Sequence, residues 1–204
     1  MDISKLEWYK IILLLSIFWF HDCSQKQQPI HALSSHHTGV LFNNQIDLNT
    51  EFSIIDYMYF FNGAGTALGD FNNDGLEDLF FAGNRVSNVL YQNTGNFKFQ
   101  DVTKEAGLST SLWCTGVLVE DFNQDGWLDL YLSVAGEKNN EMRKNLLYIN
   151  NKNMTFTELA AVYGLDFEDY SSHAAVLDYD LDGDLDVYLL NHTNQFNNVN
   201  DPIP

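Results

Sequence analysis

The sequence predicts an all-β chain: a partial β-propeller of about two and a half four-stranded blades behind an N-terminal export signal. An acidic stretch returns three times with unchanged internal spacing, and its copies lie 51 and then 57 residues apart. Each interval also holds short apolar runs bounded by Gly, Asn or Asp.

Residues 1–22 read as the export signal. The apolar run "IILLLSIFWF", residues 11–20, lies behind Lys5 and Lys10; it is too short to cross a bilayer as a helix and suits the core of a signal peptide. A buried strand or helix is the alternative reading of such a run. It closes on "FHDC", like a bacterial lipoprotein signal, so Cys23 is the expected lipidation site, although Asp22 stands where such signals have a small residue. The expected location is a bacterial cell envelope or surface, lipid-anchored when Cys23 is processed and secreted otherwise, with that anchor as the chain's membrane contact.

Residues 23–45 read as a polar tether, because His31, His36 and His37 sit among Ser and Gln without apolar periodicity. An adjacent pair such as His36 and His37 is read as solvated rather than metal-binding. The chain has two cysteines, so with Cys23 assigned to lipid no disulfide framework is available. Cys114, in "LWCTGVLV", reads as a small buried hydrophobe.

Blade 1 is expected over residues 46–109, blade 2 over 110–166 and a truncated blade 3 over 167–204. Four strands are predicted in the first unit, "TALGDF", "DLFFAG", "NVLYQN" and "FKFQDVT", and four in the second, "GVLVEDF", "DLYLSV", "NLLYIN" and "TFTEL". "TKEAGL" and "ELAAVYGL" suit one helical turn each. Asn88, Leu90, Tyr91, Asn93, Phe99, Gly107 and Leu108 recur as Asn145, Leu147, Tyr148, Asn150, Phe156, Gly164 and Leu165 at an offset of 57. Six extra residues therefore fall in or near "AGEKNNEMRK", whose polarity predicts a surface loop.

The acidic loop begins "DFNNDGLEDL" at Asp70, "DFNQDGWLDL" at Asp121 and "DYDLDGDLDV" at Asp178. Counting its first Asp as position 1, side-chain oxygens stand at positions 1, 3, 5 and 9: Asp70, Asn72, Asp74 and Asp78; Asp121, Asn123, Asp125 and Asp129; Asp178, Asp180, Asp182 and Asp186. Gly at position 6 permits a turn that aims the position-7 carbonyl inward, from Leu76, Trp127 and Asp184. An all-oxygen set suits Ca²⁺, where Zn²⁺ favours Cys and His and Mg²⁺ a stricter octahedron with waters. Two carboxylates about 5 Å apart repel by about 3 kcal/mol at an effective dielectric near 20, so an ion offsets a real cost. Up to three Ca²⁺ sites are expected, the third being the tightest because it carries four Asp, with the Asp184 side chain outside the cage. Plain hairpin turns use the same residue types, but three copies at one spacing favour the cage. An EF-hand is excluded, since its position-12 Glu is replaced by Phe81, Leu132 and Leu189.

"NGAGTALGDFNNDGLEDLFFAGN", "FKFQDVTKEAGL" and "SSHAAVLDYDLDGDLDVYLLNH" resemble the FG-GAP/VCBS repeats of calcium-binding β-propellers, in the group related to cartilage acidic protein and UnbV, over about residues 52–198. The resemblance implies a secreted or surface-anchored propeller with Ca²⁺ in its blade loops, at the loop residues above. Members of that family usually carry many more repeats, and this chain stops during its third.

The expected function is therefore a calcium-stabilised extracellular or envelope interaction module without enzymatic activity, whose ligand is a protein or a glycan. Because such a ring cannot close, the chain is expected to be a fragment of a longer protein or to associate through open blade edges. The alternative is a propeller hydrolase or glycan-processing accessory enzyme with His173 as base. Nucleic acid is excluded as a partner by a net charge of -18, from 10 Lys and Arg against 28 Asp and Glu. Asn153 and Asn191 open N-x-T sequons, which matter only on a eukaryotic secretory route.

Overall fold

The structure is a computed structural model, and it describes residues 31–47, 53–54, 57–136 and 140–192. The chain divides into two units, residues 1–33 and 34–204, and every element named below belongs to the second. The expected export signal, Cys23, residues 24–30 of the expected tether and the last residues, 193–204, lie outside the described residues.

A short helix, α1 (Ser35–Thr38), precedes a first sheet of β1 (Thr66–Gly69), β2 (Asp78–Phe81), β3 (Val89–Asn93) and β4 (Phe99–Asp101). One helical turn, α2 (Thr103–Ala106), leads to the second sheet: β5 (Cys114–Glu120), β6 (Asp129–Val134), β7 (Leu146–Asn150) and β8 (Phe156–Glu158). A second such turn, α3 (Ala160–Tyr163), leads to the hairpin of β9 (Ser171–Leu177) and β10 (Asp186–Asn191). The three sheets are antiparallel, with four, four and two strands, and the four-stranded ones run in sequence order. This is the all-β partial propeller that the repeat predicts: each sheet is an up-and-down unit, and the two helical turns fall where "TKEAGL" and "ELAAVYGL" place them.

Burial follows from the stacking of sheets face on face. Phe80, Leu90 and Phe156 from sheets one and two pack with Phe71, Leu130, Leu132 and Val134 in one core. On the other face of the second sheet, Tyr131, Leu147 and Ile149 meet Ala174, Val187 and Leu189 of the hairpin. Central strand β6 is accordingly buried at every position, Asp129 and Ser133 included, and "DLYLSV" does not alternate apolar with polar residues. Cys114 is a free, fully buried thiol in the first of these cores, and burial pushes its pKa up to about 12.

The first strands of successive sheets approach closely. A Cβ on Gly116 would lie 2.5 Å from the Ser172 carbonyl oxygen and 2.7 Å from His173 Nδ1, so only glycine lets β5 and β9 meet at this distance. His173 occupies the matching position of the third unit, where its side chain is exposed.

Two sequence expectations change. Part of the polar tether packs along the first sheet: Phe42 stacks on Phe81 at 5.1 Å, the Leu41 N–H donates to Tyr91 Oη, and Asn44 donates to Asn84. The run Val40-Leu41-Phe42 is too short to show a period, yet one ring suffices to dock an extended segment. The six-residue insertion is not wholly a solvated loop either. Residues 140–143 form a 3-10 turn whose Arg143 is buried, its guanidinium 4.3 Å above the Tyr170 ring.

Exposed apolar side chains occur in loops, such as Tyr179 and Leu181, and on sheet faces. Leu68 is exposed on the first sheet, and Leu177, Tyr188 and Leu190 on the hairpin.

Candidate metal centres

Each acidic loop links the first two strands of its sheet, closed by the pairs Gly69 with Asp78, Glu120 with Asp129 and Leu177 with Asp186. The turn is built alike in all three. Position 4 is left-handed at Asn73 (φ 54°), Gln124 (56°) and Leu181 (63°), and position 6 at Gly75 (86°), Gly126 (87°) and Gly183 (92°). Those glycines have open space around an added Cβ, so their identity answers to backbone conformation alone.

Three hydrogen bonds recur in every copy. The position-6 N–H donates to the position-1 carboxylate: Gly75 to Asp70 at 2.8 Å, Gly126 to Asp121 at 2.7 Å and Gly183 to Asp178 at 3.2 Å. The position-7 N–H donates to position 5: Leu76 to Asp74, Trp127 to Asp125 and Asp184 to Asp182. The position-2 N–H donates to position 9: Phe71 to Asp78, Phe122 to Asp129 and Tyr179 to Asp186.

Position 9 differs between the copies. In the complete sheets its second oxygen accepts the N–H that ends the third strand, from Asn93 onto Asp78 and from Asn150 onto Asp129, each at 2.8 Å. Both aspartates are fully buried, and desolvation pushes their pKa values up to about 6 against the opposing backbone N–H groups. Asp186 is only half-buried. In the third loop the Asp184 side chain is exposed, and its carboxyl is pushed up by a hydrogen bond to Asp182. Asp182 is held low, first by the Asp184 N–H and then by the Asp184 side chain.

The donor chemistry fits a hard divalent cation. In the third loop one oxygen each of Asp178, Asp180 and Asp186 lie within 4.8 Å of one another, and ligands at about 2.4 Å from a shared Ca²⁺ stand no farther apart than that. In the first two loops Asn72 and Asn123 instead give their amide N–H to Asp74 and Asp125.

Sequence reading missed three participants. Asn93 and Asn150 recur at the offset of 57, a signal of shared duty, yet which loop they reach depends on how β3 and β7 return. Lys152 Nζ lies 3.3 Å from Asp125 Oδ2 and puts a cation beside the second loop.

His173 does not join these carboxylates. It stands five positions before Asp178 along extended strand, about 16 Å of chain. A cavity of about 410 Å³ lies instead where β1, β5 and β9 begin, lined by Tyr59, Asn62, Gly65, Thr115, Ser172 and His192 among others, with no Asp, Glu, Lys or Arg among the described residues that line it. His192 Nε2 is 3.1 Å from Tyr57 Oη, and its ring centroid is 4.3 Å from that of Tyr59.

The FG-GAP-like repeat family matches residues 70–132 and 133–189. The chain is 31% identical over 176 residues to Integrin alpha pat-2 of Caenorhabditis briggsae, covering 73% of this chain and 14% of that protein, and equally to its Caenorhabditis elegans counterpart. It is 30% identical over 132 residues to Cartilage acidic protein 1 of Xenopus tropicalis, covering 63% of this chain and 20% of the other. The chain thus spans 14% to 20% of the length of these relatives.

Proposed function

Because the chain belongs to the FG-GAP-like repeat family, we propose that it is a calcium-stabilised interaction module that works outside the cytoplasm. Ca²⁺ in the three loops would fix hairpin ends and so hold the stacked sheets in register, leaving sheet faces and the neutral cavity to meet a protein or glycan ligand. The observation that carries this reading is the convergence of Asp178, Asp180 and Asp186 on one small volume, in a loop whose backbone pattern the other two share. Asp70, Asn72, Asp74 and Asp78, with the Leu76 carbonyl, would hold the first ion. Asp121, Asn123, Asp125 and Asp129, with the Trp127 carbonyl, would hold the second, and the third would take Asp182 and the Asp184 carbonyl beside its three converging carboxylates.

The apolar run ahead of Cys23 supports export, and lipidation at Cys23 would tether the module to an envelope. The distance of His173 from the acidic loop favours a binding role over hydrolysis, and the charge of -18 disfavours nucleic acid. Thermal melting followed by circular dichroism tests the calcium reading. Addition of about 1 mM Ca²⁺, in the range of extracellular modules, should raise the midpoint by several degrees over a chelator control. An unchanged midpoint together with no uptake in equilibrium dialysis would refute it.

A further inference from the structure

Two side chains tie the first acidic loop to the second. Asn150, at the end of β7 and 2% exposed, uses one amide nitrogen twice: it donates to the Leu128 carbonyl of its own loop at 3.1 Å and to the Phe71 carbonyl of the preceding sheet at 2.8 Å. Its backbone N–H meanwhile holds Asp129, and the Phe71 N–H holds Asp78. One residue therefore bonds Asp129 directly and also bonds the residue whose N–H holds Asp78. On the outer side, Asn73 donates to the Gly126 carbonyl at 3.2 Å, and Gly126 in turn donates its N–H to Asp121. The counterpart of Asn150 in the first sheet, Asn93, bonds the Glu77 carbonyl of its own loop, and among the described residues the third loop is bonded through Tyr179, Gly183 and Asp184 inside its own hairpin.

We propose that Asn150 and Asn73 are positioning residues that make the first two loops bind divalent cations as a coupled pair, separately from the third. The proposal rests on the calcium reading above. A cation that draws in Asp121, Asp125 and Asp129 fixes the Leu128 and Gly126 peptides, and through the two amides fixes Phe71 and Asn73 before the first loop meets its own ion. Ordering already completed by one ion lowers the cost for the next, and the coupling is reciprocal.

Calcium titration of the whole chain, read by amide exchange at Asp74 and Gly75 for the first loop and at Asp125 and Gly126 for the second, tests this. Asp125→Ala should raise the Ca²⁺ concentration that half-protects the first loop by about fivefold or more. Asp74→Ala should shift the second loop by the same factor. Protection at Gly183 and Asp184 should move less than twofold. Asn150→Ala should reduce the transmitted shift to below twofold. If that buried change unfolds the chain, Asn73→Gly, which keeps the left-handed backbone and is exposed, should still reduce it measurably. Independent midpoints in protected loops, or an equal shift in the third loop, would overturn the coupling alone. Absence of Ca²⁺-dependent protection in every loop of the unsubstituted chain would overturn the calcium reading and the coupling with it.

Discussion

The loop of the second sheet and the loop of the β9–β10 hairpin have the same turn and nearly the same carboxylates, yet they stand in different surroundings. Asp129 is buried and accepts N–H groups from both Phe122 and Asn150; Asp186 is half-buried and, among the described residues, accepts one from Tyr179. The second loop is also crossed by Asn150 and flanked by Lys152, whereas the third leaves Asp178 and Asp180 exposed and converging with Asp186. Position 9 thus has two duties. It closes the sheet by joining the loop to the third strand, and under the calcium reading it would contribute an oxygen to a cage; the complete sheets display the first duty, and the hairpin has the converging carboxylates that suit the second.

The largest effect should come from position 9. In saturating Ca²⁺, Asp129→Ala is expected to cost about 3 kcal/mol more than Asp186→Ala in urea unfolding, because it leaves two N–H groups without acceptors, that of Asn150 in a buried residue, while Tyr179 N–H faces water. Equal costs would erase the distinction. Next is pH. Asp78 and Asp129 keep protons up to about 6 in the fold against an ordinary 3.8, so their contribution to the metal-free fold is full below pH 3.8 and lost as pH rises through 6. Chelated protein should melt lower at pH 7 than at pH 5. Saturating Ca²⁺, which competes with those protons, should remove or reverse that trend.

Smaller effects sharpen the contrast within the turn itself. Leu181 is a branched residue at a left-handed position where the first loop has Asn73, so Leu181→Asn should stabilise the hairpin by about 1 kcal/mol, read by amide exchange of β9 and β10. Lys152→Ala should tighten Ca²⁺ binding in the second loop by about threefold at low ionic strength, the scale of a half-exposed ion pair, with no change in the third. Calorimetric titration at two salt concentrations would register it, and the gain should fade as salt rises.

Much of this architecture is legible from residue order alone. Strand positions, the helical turns at Thr103–Ala106 and Ala160–Tyr163, and the glycines at position 6 follow from short-range rules: apolar runs of strand length, and a backbone angle that only glycine adopts freely. Burial of Cys114 follows from its apolar neighbours. The docking of Phe42 on Phe81 and the burial of Arg143 against Tyr170 do not, because each joins a polar-looking segment to a partner far along the chain.

The spacing of oxygen donors, and hence the kind of ion they suit, was determined by the sequence, since ligands within one tight loop are set by local backbone geometry. Tertiary structure decided which of those carboxylates are buried, which keep their protons to about pH 6 and which loop leans on its neighbour. Those properties depend on the third strand returning past the loop and on one sheet stacking against the next. Interactions between residues 79 positions apart, such as Asn150 with Phe71, leave no local pattern in the chain.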